Sequence, residues 1–110
     1  MNITFRQLRV FAEVARQGSM ARAAETLALT PPAVSMQIKE IENQVGLPLF
    51  DRHGRRVSLS TAGEYFVVHA KRLLADLKEA ETAMARTTKY SPAVDSETRR
   101  PWRSNSGNPT

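Results

Sequence analysis

The stretch Thr30-Pro31-Pro32-Ala33-Val34-Ser35-Met36-Gln37-Ile38-Lys39 holds side chains that could do chemistry, and that chemistry is recognition. Thr30 is a hydroxyl cap. Pro31 and Pro32 fall in the first turn of the helix that follows, where a missing N–H costs least. Val34, Ile38, Ile41 and Val45 recur at spacings of four, three and four and make one apolar face. Pro32, Met36, Lys39 and Asn43 look the other way, flanked by Ser35 and Glu40. Pro32 and Met36, near the N-terminal end, would approach base edges, and Ser35 and Lys39 would hold phosphate. Gln37, on the flank, is a further phosphate contact, and Thr30 with the first-turn N–H groups adds donors. In isolation such a face is an ordinary solvated helix surface. Its neighbours make it a candidate for the DNA major groove.

A second cluster, Arg52, Arg55 and Arg56, surrounds His53-Gly54. A narrow minor groove concentrates negative potential and attracts arginine. The plain alternative is a solvated hairpin tip with Arg52 paired to Asp51. Arg22 and Arg6 read as surface residues before phosphate contacts.

Bond-making chemistry finds little here. Cys is 0, so there is neither a disulfide framework nor a thiolate metal site. No phosphate-binding Gly loop or HExxH motif occurs. His53 and His69 are too few for a His-based metal cluster. His53 with Asp51 and Ser58 supplies triad residue types, but on a small exposed hairpin with no pocket. Neither enzyme nor cofactor is expected.

The elements that must position these residues follow from periodicity. Thr4 to about Gln17 predicts a first helix, with Thr4 and Gln7 as a capping box and Ile3 and Leu8 as a hydrophobic staple. Phe5, Leu8, Phe11, Ala12 and Ala15 make one stripe, while Val10 and Val14 point elsewhere, so this helix should be sandwiched. Gly18 is the expected stop. Ser19 caps a second helix to Leu27, with Met20, Ala23, Ala24 and Leu27 buried, and Ala28-Leu29 is a very short connection. Gly46 ends the third helix, and Leu47 is placed to fold back onto Ile41. Pro48 to Ser60 changes period and predicts a β-hairpin, a wing with a basic tip.

Ser60 or Thr61 then caps a long helix to about Arg86, with Thr61 and Glu64 as one possible capping box. Its length would be roughly 39 Å. Phe66, Ala70, Leu73, Leu77, Ala80 and Met84 form a heptad seam along it. A domain this small cannot cover all of that seam. The N-terminal part is expected on the first helix and the C-terminal part on a second protomer. Residues 87–110 have no apolar period and predict a disordered tail. The fold class is therefore mainly α: a winged helix-turn-helix over 1–60 and a long helix over 61–86.

The chain has 110 residues with 16 Lys+Arg against 11 Asp+Glu, a net charge of +5, which favours a polyanion partner. The run Tyr65-Phe66-Val67-Val68 is far too short to span a membrane, so no membrane partner and a soluble, cytoplasmic, nucleoid-associated location are expected.

The segments L-R-V-F, A-A-E-T-L, T-P-P-A-V-S-M-Q-I-K-E-I-E, V-G-L-P-L-F-D-R and L-S-T-A-G-E, in this order over about Ile3 to Arg86, resemble the N-terminal DNA-binding domain of the LysR-type transcriptional regulators. The T-P-P-A-V-S-M-Q-I-K string is similar to the branch that includes regulators of carbon-fixation operons. The resemblance implies a linker helix that pairs antiparallel with a second copy, and binding to interrupted palindromes with T and A at their ends. Two positions depart from the family pattern. Gln is frequent where this chain has Pro31, and Arg where it has Met36. Gln can read adenine through a bidentate contact and Pro cannot, while Met can only touch a thymine methyl. Less hydrogen-bonded base readout and more use of DNA shape are expected.

Family members continue into a two-lobed effector domain, and here a short tail follows the linker helix. An isolated domain, a naturally shortened regulator and a disrupted gene product all fit. The expected function is a homodimeric, sequence-specific regulator module on double-stranded DNA, with no small-molecule effector site in this chain and constitutive operator binding. The alternative is a partner that forms mixed dimers with a full-length relative and blocks it. A third reading is a winged-helix protein-interaction module with no DNA role.

Overall fold

Thr4 opens the first helix by satisfying two backbone groups at once. Its hydroxyl accepts from the Gln7 N–H at 3.1 Å, and the Gln7 side chain accepts from the Thr4 N–H at 3.1 Å. In the computed structural model, which describes residues 1–90, this starts α1 (Phe5–Gln17). Gly18, at φ 68, turns the chain out and donates back to the Val14 carbonyl at 2.8 Å. Ser19 caps α2 (Met20–Leu27) by accepting from the Arg22 N–H. α2 ends at Ala28, at φ 57, the one non-glycine residue with positive φ among the described residues. Thr30 caps α3 (Pro31–Val45) by accepting from the Ala33 N–H, and Gly46 closes it at φ 87.

The wing is β1 (Phe50–His53) paired antiparallel with β2 (Arg56–Leu59). Asp51 faces Ser58 across the ladder, Arg52 faces Val57 and His53 faces Arg56. A two-residue turn, Gly54-Arg55, joins them with Gly54 at φ 67, the glycine-first pattern of a II′ turn. α4 (Thr61–Tyr90) follows. It runs past the expected end at Arg86, so Thr87 to Tyr90 of the predicted tail are helical. The remainder of that tail, 91–110, lies outside the described residues.

The core has α1 at its centre. Leu8, Val10, Phe11 and Val14 are all buried, as expected of a sandwiched helix. Ala23 and Ala24 of α2 and Val34, Ile38 and Ile41 of α3 meet them in one cluster. Leu49, Phe50 and Val57 come from the wing and Ala70 from α4. The Phe11 ring lies 5.3 Å from that of Phe50 and 5.1 Å, edge-on, from that of Phe66. These are favourable aromatic separations. Residues Met1–Asp76 make one compact unit, so the first half of α4 belongs with the winged domain, and a second unit begins at Leu77.

Three local expectations need correction. Phe5 stays 42% exposed, because the apolar stripe of α1 turns away from solvent only from Leu8 onward. Leu47 stays 54% exposed instead of folding onto Ile41, since Leu49, two residues on, fills the core first. The Thr61–Glu64 capping box does not form, because Ser60 caps the helix: its hydroxyl accepts from the Gly63 N–H at 3.0 Å.

Candidate nucleic-acid interface

α3 carries the candidate reading face, and its own core face sets where that face points. With Val34, Ile38 and Ile41 buried, Pro31, Pro32, Met36, Lys39 and Asn43 are exposed, Met36 by 60%. Ser35 and Gln37 are half-buried on the flanks. The Thr30 hydroxyl is engaged by the Ala33 N–H, so Thr30 can offer DNA only its exposed edge. The acidic residues of α3 are both tied down. Glu40 accepts from the Gln7 side chain at 2.9 Å, and Glu42 accepts from the Leu49 N–H at 2.8 Å.

The wing arginines divide by register. Arg56 shares a face with Asp51, His53 and Ser58, and His53 and Ser58 meet there at 3.1 Å. Arg52, opposite Val57, lies on the other face, beyond the buried Phe50. Arg55 occupies the turn. The cluster that is continuous in sequence is thus spread over two faces and a tip. Among the described residues, the side chains of Lys39, Arg52, Arg55 and Arg56 make no hydrogen bond or ion pair, and the Arg52–Asp51 pairing of the alternative reading is absent. The ion pair that is formed joins Arg16 and Glu13 on α1. The hydrogen bond from Arg16 holds the Glu13 carboxyl below the usual carboxylate range.

Backbone and polar contacts hold the wing to the helices. The Val57 N–H donates to the Gly18 carbonyl at 3.0 Å. The Ser60 N–H donates to the Leu49 carbonyl at 3.0 Å, while the Ser60 hydroxyl donates to the Pro48 carbonyl at 2.8 Å. Gly63 lets α4 lie directly on the backbone just before β1: a Cβ there would stand 2.0 Å from the Leu49 carbonyl oxygen. Glu42 and Gly63 were not among the residues singled out in the sequence, and Ser60 was read there only as a helix cap. The Glu42 and Ser60 contacts join residues 7 and 12 positions apart, and no local pattern announces them. Gly63 stands within the L-S-T-A-G-E segment, the one sequence signal that pointed to it.

On α4 the seam residues divide. Phe66 packs on Phe11 and Ala70 is buried, so both serve the core of their own domain. Leu73 is 47% exposed, Leu77 half-buried, and Ala80 and Met84 are exposed. Among the described residues no cluster of three or more His, Cys, Asp or Glu side chains is placed to hold a metal ion, and no helix is long and apolar enough to cross a membrane.

Residues 5–64 match the model of the bacterial regulatory helix-turn-helix proteins of the LysR family. The chain belongs to the LysR family. It is 46% identical over 82 residues to the HTH-type transcriptional regulator CfxR of Cupriavidus necator, an alignment that takes in 74% of this chain and 26% of that protein. It is 44% identical over 84 residues to the RuBisCO operon transcriptional regulator of Allochromatium vinosum, covering 76% of this chain and 28% of the relative. The chain thus spans about a quarter of the length of these relatives, and the likeness to carbon-fixation regulators read from the third helix is found again here. Its fold is similar to the CbnR DNA-binding domain solved with DNA, at TM-score 0.69 and 34% identity over 78% of this chain and 98% of that one. It is also similar to the BenM DNA-binding domain on the benA site 1 DNA, at TM-score 0.72 and 30% identity over 76% of this chain and 98% of that one. The mainly helical architecture with a two-stranded wing is that of the LysR winged helix-turn-helix.

Proposed function

We propose that this chain binds double-stranded DNA sequence-specifically, as a homodimer on an interrupted palindrome, and regulates transcription nearby. The observation that carries the reading is the exposed Met36–Lys39 edge of α3. It is unpaired in Lys39, bordered by tethered carboxylates, and presented by a fold whose relatives CbnR and BenM were solved on DNA. Pro32 and Met36 meet base edges, Met36 through apolar contact with a thymine methyl. Ser35, Gln37, Lys39, Thr30 and the α3 N-terminus meet phosphate, where Pro31 contributes shape and no donor. Arg52, Arg55 and Arg56 approach the flanking minor groove, reading width more than base identity.

The dimer forms through α4. Leu73, Leu77, Ala80 and Met84 recur at heptad spacing and carry the contact with the second copy, since Phe66 and Ala70 are engaged in the core. Two α3 helices in a symmetric dimer require a two-fold related site, hence a palindrome. A DNA partner of this kind places the protein in the cytoplasm, at the nucleoid.

The test is selection of binders from a random duplex library at near-physiological salt. Enrichment of an interrupted palindrome is the expected result and gives the operator spacing. Salt-sensitive binding with no enriched sequence would remove the sequence-specific part of the proposal.

A further inference from the structure

Gln7 makes two hydrogen bonds that lead in opposite directions. Its Oε1 accepts from the Thr4 N–H and completes the α1 cap. Its Nε2 donates to Oε1 of Glu40, 33 residues away on α3, at 2.9 Å. Glu40 follows Met36 by four residues, so it lies one turn along the same edge of α3, and Lys39 is its neighbour. Among the described residues no cation pairs with Glu40, and the Gln7 amide is the tie that places it. The backbone N–H of Asn2 donates to the Gln44 side chain at 2.9 Å, one further turn along. The N-terminal edge of α1 is therefore stitched along one flank of the recognition helix.

We infer that Gln7 is a positioning residue for DNA binding, which holds the Glu40 carboxylate against α1 and off the Met36–Lys39 edge. The inference rests on the DNA-reading role proposed for that edge. A neutral amide does not cancel the carboxylate's charge. It decides where the charge sits. Released, Glu40 can swing toward Lys39 and the phosphates it serves, adding like-charge repulsion and competing for the ammonium. The same amide that starts α1 thus keeps the reading edge of α3 cationic, so helix capping and DNA affinity share one side chain.

The test compares the wild type, Gln7→Ala, Glu40→Gln and the double variant, measuring affinity for the selected duplex at low and near-physiological salt, with thermal unfolding alongside. Gln7→Ala is expected to weaken binding at low salt by about threefold, the scale of one displaced charge in a mostly aqueous setting. That loss should shrink as salt rises. Adding Glu40→Gln should restore wild-type affinity while the lower unfolding temperature of the lost cap remains. Glu40→Gln alone should change affinity little, because the carboxylate is already held away. Where Gln7→Ala does not fold, Gln7→Glu keeps the capping box, since Glu serves at that position too. Its two facing carboxylates should weaken binding, and Glu40→Gln should reverse the loss by donating across the restored pair. A loss that Glu40→Gln leaves untouched, or an equal gain from Glu40→Gln with and without Gln7, would overturn the inference. A wild-type protein with no affinity for duplex DNA would sink the DNA reading itself and the inference with it.

Discussion

Met36 and Lys39 stand on one edge of α3, yet they can exchange different things with DNA. A thioether offers apolar contact and no hydrogen-bond donor, so Met36→Ala should shift base preference at one position more than it changes overall affinity, as read by repeating the library selection. Lys39→Ala should weaken binding to all sequences and lower the salt slope by about one unit, read from affinity against salt. Glu13 gives a pH signature independent of DNA. Its folded-state pKa lies below its unfolded value, so its contribution to stability is present above the ordinary carboxylate range and fades as pH falls through the lowered pKa. Glu13→Gln should flatten the acid limb of stability against pH, measured by denaturant unfolding. At this scale the sequence was legible wherever cause and effect lie within one turn: Thr4, Ser19 and Thr30 each cap an N–H three residues on. It was opaque where a side chain's partner is remote, as for Glu40 with Gln7. Such a pairing exists only once α1 and α3 have packed.

Among the elements, the start of α4 comes close to the backbone at the base of the wing. Leu49, Ser60 and Gly63 meet where the hairpin closes, and Gly63→Ala would drive a methyl into the Leu49 carbonyl. Relief requires a backbone shift, so the substitution should cost about 3 kcal/mol, the upper end for overpacking. Gly46→Ala meets no neighbouring atom and bears only the strain of its positive φ, about 1 kcal/mol. Urea unfolding of the two variants side by side checks the order. Equal losses would mean that the close approach at Gly63 is not what that glycine serves. Periodicity made the helices and the hairpin legible, since burial on one side imposes a period of 3.6 or of 2. It could not tell Leu47 from Leu49, because both are apolar and only the path of the chain after Gly46 decides which one reaches the core.

For the molecule as a whole, the seam of α4 was legible as a repeat and, at its N-terminal end, as a contact with the first helix, where Phe66 packs on Phe11. Phe66 and Ala70 serve the domain's own core, and Leu73 and Leu77 are among the later positions proposed to meet a second copy. Leu77→Asp should therefore abolish dimerisation and palindrome recognition while leaving the winged domain folded, as read by sedimentation and by circular dichroism. A stable dimer in that variant would mean that the contact lies elsewhere. The compact unit ends at Asp76, partway along a helix that continues to Tyr90. A helical segment of about 14 residues is marginal in water when nothing covers it. The last turns of α4 then obey mass action: dilution should loosen them and association should restore them. Trypsin cleavage after Lys78 and Arg86 should accordingly slow as protein concentration rises through the dimer dissociation constant, so a protease becomes a gauge of self-association.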